Sequence, residues 1–138
     1  MGYRKPIPPV DVISAHYWQS AAQGKLMLNA CNSCENIMFY PRATCTRCMS
    51  NDLGWIEASG RGVVYAFTVC YRAPDAVFRE DAPYVIALID LAEGPRMMSN
   101  VTDCDPDTVH IGMPVKAWFE PATEDIAIPK FKPSGAAQ

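Results

Sequence analysis

The sequence contains no long apolar run and no excess of positive charge. No stretch approaches the roughly 20 apolar residues that a membrane-spanning helix needs, and no apolar run follows the early Arg4-Lys5 pair as it would in a secretion signal. We therefore expect a cytoplasmic protein without a membrane partner. The 138 residues carry a formal net charge of −3, whereas proteins that bind nucleic-acid phosphates are usually basic. The charge thus disfavours nucleic acid as a partner.

Residue patterns that perform catalysis are also scarce. Only two histidines occur, His16 and His110, and neither has a Ser, Cys or carboxylate partner at a motif spacing. The sequence has no G-x-S-x-G, Walker or G-x-G-x-x-G motif. We therefore expect no catalytic residue in this chain.

The residues that are abundant predict a mainly β fold. Twelve prolines and eight glycines favour turns and short strands. Near the N-terminus, Asp11 is expected to cap a helix that ends at Gly24. Beyond residue 60, runs rich in β-branched and aromatic residues predict about five strands, spaced as in a small barrel: Val63–Tyr71, Tyr84–Leu91, Arg96–Val101, Val115–Glu120 and Ile126–Phe131. Prolines interrupt the last run, which favours a position at a sheet edge.

The most specific motif consists of two C-x₂-C pairs, Cys31 with Cys34 and Cys45 with Cys48, separated by ten residues. Each pair places two sulfurs on one side of a tight turn, and two facing turns make the tetrahedron of thiolates that Zn²⁺ favours in closed structural sites. We predict one structural zinc ion; iron also fits four thiolates. Two disulfides and a redox-active C-x-x-C are the alternatives, but a reducing cytosol disfavours the first and the duplication of the motif disfavours the second.

The order of short motifs along the chain resembles that of a known family. Tyr17-Trp18 precedes Gly24-Lys25-Leu26, and Tyr40-Pro41-Arg42 lies between the cysteine pairs. Downstream come Ser59-Gly60-Arg61-Gly62, Pro83-Tyr84-Val85, Glu93-Gly94-Pro95 and Ile111-Gly112-Met113-Pro114-Val115. From about Pro8 to Pro133, the pattern resembles the family in which a rubredoxin-like zinc ribbon is fused to an OB-fold, long catalogued as a domain of unknown function. One departure is Glu35, where the family usually has glycine after the first cysteine pair.

The resemblance implies how the chain is divided and what it does. We expect an N-terminal arm and helix over residues 1–24, a zinc ribbon over 25–58, a five-stranded OB-fold barrel over 59–133 and a loose tail over 134–138. The charge agrees with two modules, because residues 1–62 carry +2 and the remainder −5. Family members are associated with acyl-CoA chemistry, as non-catalytic subunits of a thiolase-like acyltransferase, a thiolase-fold aldolase or a hydratase. The resemblance therefore implies a hetero-oligomer in which this chain helps to bind a CoA thioester.

Basic and aromatic residues outside the cysteine motif are candidate contacts for such a ligand and partner. CoA phosphates require basic side chains, and Arg42, Arg47 and Arg61 lie near the expected junction of ribbon and barrel. We predict that they bind the ligand. The segment 72–83 is long for a hairpin connection, and Phe78 and Arg79 at its centre are residue types that anchor interfaces. We predict that these two contact the partner; a mobile surface loop is the alternative.

Two other functions remain open from the sequence. OB-folds and zinc ribbons also bind single-stranded nucleic acids, and Tyr65, Phe67 and Tyr71 are aromatic residues of a type that stacks on bases, although some of them are expected to fill the core. The acidic barrel opposes this function. The third candidate is an electron carrier with iron at the four cysteines, which predicts a coloured protein.

Overall fold

The computed structural model describes residues 5–72 and 76–134, which form a mainly β chain with one α-helix. The helix α1 spans Ala15–Ala22, and short 3₁₀-helices span Ala76–Asp81 and Pro106–Thr108. The strands are β1 Met27–Cys31, β2 Ile37–Met38, β3 Leu53–Glu57, β4 Arg61–Cys70, β5 Tyr84–Leu91, β6 Arg96–Val101, β7 Pro114–Pro121 and β8 Ala127–Pro133. The predicted fold class is thereby confirmed. Arg4, residues 73–75 of the long connection and residues 135–138 of the expected tail lie outside the described ranges.

The helix α1 begins later than the sequence predicts. Residues 12–14 form a turn and Ser14 occupies the cap position, so Asp11 is not the N-cap. The Asp11 carboxylate accepts hydrogen bonds from the Ser14 N–H and the Ser14 hydroxyl, both at 2.8 Å. The two residues therefore close the turn that precedes the helix. The end agrees with the prediction, because Gly24 has a φ of +82°, the left-handed conformation that terminates a helix. Within the described ranges, no helix is both long and apolar enough to cross a membrane.

A three-stranded antiparallel sheet of order β2-β1-β3 leads into the cysteine turns. β1 pairs with β3 along its whole length. Leu26, just before β1, and Leu28 within it belong to the same buried cluster as Tyr17 of α1 and Ile89 and Phe131 of the barrel. Because burial of apolar surface is the main stabilising term in folding, the sheet, the helix and the barrel are stabilised as one unit.

Strands β4 to β8 close a barrel of order β4-β5-β6-β8-β7, as the five-stranded OB-fold prediction requires. Along β5, buried and half-buried side chains alternate over all eight residues, as expected when one face of a strand lines a core. A bulge between Val64 and Ala66 shifts the register of β4 against β5. At Gly62, the two strands approach so closely that an added Cβ would lie 2.7 Å from Ile89 Cγ2.

The prediction of an edge position for the last strand is wrong. β8 lies between β6 and β7 within the closed barrel. It pairs with β7 along its whole length but with β6 at a single position, Val101↔Phe131. Pro129 and Pro133 lack the N–H that a strand with two full partners would use, so the sparse pairing with β6 explains why a proline-containing strand fits there.

The aromatic residues at and after β4 are more exposed than the sequence predicts. Tyr65, Phe67 and Tyr71 are 47%, 36% and 67% exposed, so none of them fills the core. Alternation along β4 places Tyr65 on the outer surface, where the guanidinium of Arg96 lies 3.4 Å from its ring centroid. This contact is a cation–π interaction and gives the tyrosine ring a local partner.

Candidate functional site

The four cysteines of the two C-x₂-C pairs converge beside the three-stranded sheet. Their Sγ atoms all lie within 4.8 Å of one another. Separations of 3.6 Å join Cys31 Sγ to Cys48 Sγ and Cys34 Sγ to Cys45 Sγ. A tetrahedron with Zn–S bonds of about 2.3 Å requires sulfurs about 3.8 Å apart. The four predicted ligands are therefore positioned to bind one metal ion of this type.

The two cysteine pairs lie on turns of the same design. The Glu35 N–H donates to the Cys31 carbonyl at 2.9 Å, and the Met49 N–H donates to the Cys45 carbonyl at 3.1 Å. The residue after each second cysteine is left-handed, with φ of +66° at Glu35 and +67° at Met49. Glycine adopts this conformation at the lowest cost. The departure at Glu35 therefore strains the first turn but preserves its shape.

Backbone N–H groups are directed at the two buried sulfurs. The Cys34 N–H donates to Cys31 Sγ at 3.4 Å. The N–H groups of Cys48 and Arg47 donate to Cys45 Sγ at 3.5 and 3.3 Å. The hydrogen bonds from Cys48 and Arg47 lower the pKa of Cys45 to about 6. The hydrogen bond from Cys34 likewise lowers the pKa of Cys31. The turns thus favour the thiolate form of Cys31 and Cys45, which is the form that binds metals, whereas desolvation and the neighbouring cysteine sulfurs raise the pKa of Cys48.

The three arginines predicted to bind a ligand lie on different elements. Arg42 is in the loop between β2 and β3, where its N–H donates to the buried Asn29 Oδ1 at 2.9 Å. Arg47 lies in the second cysteine turn, and its guanidinium donates to Asn36 Oδ1 at 3.3 Å. Arg61 is the first residue of β4. All three residues are exposed, and their role in ligand binding stays a prediction.

The two residues predicted to contact a partner lie on the 3₁₀-helix Ala76–Asp81. Phe78 is half-buried, and its ring centroid is 6.3 Å from that of Tyr84. The Phe78 ring also lines a cavity of about 350 Å³ between this helix and the barrel. Arg79 is exposed. The 3₁₀-helix Ala76–Asp81 therefore contacts the barrel through Phe78, and the role of both residues at an interface stays a prediction.

Sequence reasoning missed a row of basic residues on the barrel surface. Arg61 on β4 lies directly opposite Lys116 on β7, and Lys116 lies directly opposite Lys132 on β8. Residues directly opposite one another in antiparallel strands share a face of the sheet. We call these three residues the basic row. Only the strand register brings them together, because they are far apart in the sequence.

Comparison with known proteins identifies the family of this chain. A family model of the ChsH2 rubredoxin-like zinc ribbon domain matches residues 18–53, and one of the ChsH2 C-terminal OB-fold domain matches residues 55–120. A DUF35 domain-containing scaffold protein from Methanocaldococcus jannaschii is 41% identical over 96 residues, which cover 69% of this chain and 67% of that protein.

Two further similarities involve proteins named after enzyme assemblies. A probable enoyl-CoA hydratase alpha subunit from Thermomonospora curvata is 34% identical over 131 residues, or 94% of this chain. The chain spans 40% of the length of that subunit. In the solved structure of an Ltp2-ChsH2(DUF35) aldolase, one chain matches with a TM-score of 0.84 and 32% identity, over 94% of this chain and 100% of that chain. This chain therefore belongs to the DUF35 family, in which a ChsH2-type zinc ribbon precedes an OB-fold domain.

Proposed function

We propose that this chain is a non-catalytic, zinc-containing subunit that assembles with a thiolase-like acyl-CoA enzyme and helps to bind its CoA thioester. The observation that carries the proposal is the match to one complete chain of the Ltp2-ChsH2(DUF35) aldolase, at 32% identity. The relative named as a probable enoyl-CoA hydratase alpha subunit supports a role in CoA chemistry. A thiolase-fold aldolase and a hydratase are therefore included among the candidate partners.

In this proposal, the zinc ion links the two cysteine turns. Four thiolates complete the tetrahedron and leave no open position for a substrate, so the role of the ion is structural. Among the residues that the structure describes, the apolar cluster around the turns contains only Met38 and Leu53 besides cysteines. A region with so little apolar burial needs another source of stability, and metal binding supplies it because its free energy adds to that of folding.

The proposed contact with the partner is centred on the 3₁₀-helix Ala76–Asp81. Arg79 is exposed there, and Phe78 fixes the helix against the barrel near Tyr84. An arginine on an ordered support is a typical interface anchor. Exposed apolar side chains elsewhere, such as Met98 at 56%, add surface that suits a protein partner.

The proposed contacts with the CoA thioester are the exposed arginines Arg42, Arg47 and Arg61. A guanidinium donates parallel hydrogen bonds to a phosphate, and such charge-assisted bonds are stronger than neutral ones. Arg42 and Arg47 are positioned by the ribbon and Arg61 by the barrel. A ligand held by all three would therefore lie across the two modules or across the interface with the partner.

The experiment that tests this function is capture of the full chain, with an affinity tag, from its own cells. We expect a co-purifying enzyme subunit with activity on a CoA thioester, and loss of that activity when the same enzyme is purified from cells that lack this chain. A fully active enzyme in the complete absence of the chain would contradict the proposal. Retention of single-stranded nucleic acid without a protein subunit would favour the nucleic-acid-binding function instead.

A matched pair of variants tests the partner surface. Arg79→Glu reverses a charge at the proposed contact, so we expect the yield of captured partner to fall. Lys25→Glu makes the same charge change at another exposed position and should leave the yield unchanged. Equal yields from both variants would remove the 3₁₀-helix from the proposed interface.

A further inference from the structure

The basic row places three positive charges side by side on the outer surface of the barrel. Adjacent strands are about 4.8 Å apart, so Arg61, Lys116 and Lys132 occupy neighbouring positions across three strands. Arg61 and Lys116 are exposed, and Lys132 is half-buried. Like charges directly opposite one another on a sheet are destabilising. Such an arrangement therefore carries a cost in stability that an anion between the side chains would offset.

The described part of the chain does not supply that anion. In residues 5–72 and 76–134, no ion pair involves Arg61, Lys116 or Lys132. Other basic residues of the same barrel differ in this respect. Arg96 pairs with Asp90 at 2.6 Å, and Lys130 pairs with Glu120 at 2.8 Å. The charges of the basic row are thus available to a ligand.

We propose that Arg61, Lys116 and Lys132 form a binding site for the phosphate groups of a CoA-type ligand. The identity of the ligand rests on the proposed function, whereas the position of the site rests on the strand register. Lysine and arginine side chains are the usual partners of phosphate in proteins. The site adds two lysines to Arg61, so that the barrel contributes phosphate contacts beside those proposed for the ribbon arginines.

The surroundings of the basic row fit the non-phosphate part of such a ligand. Trp118 follows Lys116 on the same face of β7, and Lys130 precedes Lys132 on the same face of β8. Trp118 and Lys130 both line the cavity of about 350 Å³ beside the 3₁₀-helix Ala76–Asp81. The cavity is within the usual size of small-molecule sites. A ligand with its phosphates on the basic row thus has an adjoining cavity for its neutral part.

The test is calorimetric titration of the full chain at low salt with CoA, 3′-dephospho-CoA and pantetheine. We expect CoA to bind the unmodified chain, and the double variant K116Q/K132Q to weaken it about tenfold or more. The charge-matched control K25Q/R72Q removes two exposed positive charges elsewhere and should leave the affinity within about twofold. If 3′-dephospho-CoA binds more weakly than CoA, the basic row contacts the 3′-phosphate. Pantetheine, which has no phosphate, should bind the unmodified chain and the variants equally.

Three results would overturn the proposal. The first is that CoA does not bind the unmodified chain, and the second is an equal loss of CoA affinity in K116Q/K132Q and K25Q/R72Q. The third is that a single-stranded oligonucleotide, but not CoA, binds in a way that depends on the two lysines. Capture of the enzyme partner separates this proposal from the proposed function. If the partner complex forms normally but CoA affinity does not depend on the two lysines, only the proposed role of the basic row is refuted. Failure of the unmodified chain to capture any CoA enzyme would refute the accessory role.

Discussion

Gly62 lies at the closest approach between β4 and β5, and replacing it with alanine tests how tightly the barrel is packed. An added Cβ would lie 2.7 Å from Ile89 Cγ2 and 2.8 Å from the Asp90 carbonyl oxygen. Ile89 is fully buried, and the Asp90 carbonyl belongs to a strand paired on both sides. Neither atom has room to move, so the Gly62→Ala variant must distort the start of β4.

The expected cost follows from these contacts. Overpacking of a dense interior costs about 1–3 kcal/mol, and the loss of unfolded-state entropy on replacing glycine returns about 0.4–1 kcal/mol. We therefore expect Gly62→Ala to lower the free energy of unfolding by about 1.3 kcal/mol, the difference between the midpoints of these two ranges. With an unfolding entropy of about 2.1 cal/mol/K per residue, this corresponds to a fall in Tm of about 4–5 °C for a chain of this length.

Thermal unfolding of the metal-loaded protein measures this effect, and Gly54→Ala is the matched control. At Gly54, on the neighbouring sheet, an added Cβ would meet no atom closer than 3.6 Å, which is ordinary van der Waals contact. The Tm of the Gly54→Ala variant should stay the same or rise slightly. Equal Tm values for the two variants, with unchanged metal content, would refute the packing argument at Gly62.

Three other perturbations have expected outcomes. Cys31→Ser and Cys48→Ser should each lose the metal and destabilise the ribbon, because metal binding contributes to folding. Mass spectrometry measures the metal content of each variant. An unchanged metal content would overturn the ligand assignment. Glu35→Gly should raise the free energy of unfolding by about 0.5–1 kcal/mol, because glycine adopts the φ of +66° at this position without strain. Chemical unfolding measures this free energy, and a destabilised variant would contradict the prediction. Hydrogen bonds from Ser14 lower the pKa of Asp11. This carboxylate therefore stabilises the fold above its unfolded pKa, and the contribution disappears as the pH falls through the lower pKa of the folded state. In an NMR titration, Ser14→Ala should raise the pKa of Asp11, and an unchanged pKa would be inconsistent with hydrogen bonds from Ser14 as the cause.

Local patterns predict the parts of the fold that depend on local chemistry. The alternating run Tyr84–Leu91 is a strand with the same limits in the structure, because alternation of side chains is itself the property of a half-buried strand. The two C-x₂-C pairs predict a cluster of four sulfurs for a similar reason. Each pair forms its own turn, so only the meeting of two turns depends on the remainder of the fold.

Features that depend on distant parts of the chain could not be predicted in this way. The place of β8 inside the barrel depends on closure against β6, and the proline pattern alone favours an edge. The exposure of Tyr65 depends on which face of β4 lines the barrel core, and the residue types do not reveal this. The basic row depends on the register of three strands, so its lysines look like ordinary surface residues in the sequence.

Native mass spectrometry of the complex, purified gently from the protein's own cells, tests the metal site and the enzyme partner together. It reports the mass of bound metal and the mass of the partner in one experiment. We predict one zinc ion per copy of this chain, together with an enzyme subunit of an acyl-CoA reaction. A chain that carries iron, or that carries zinc but is never bound to an enzyme subunit, would contradict it.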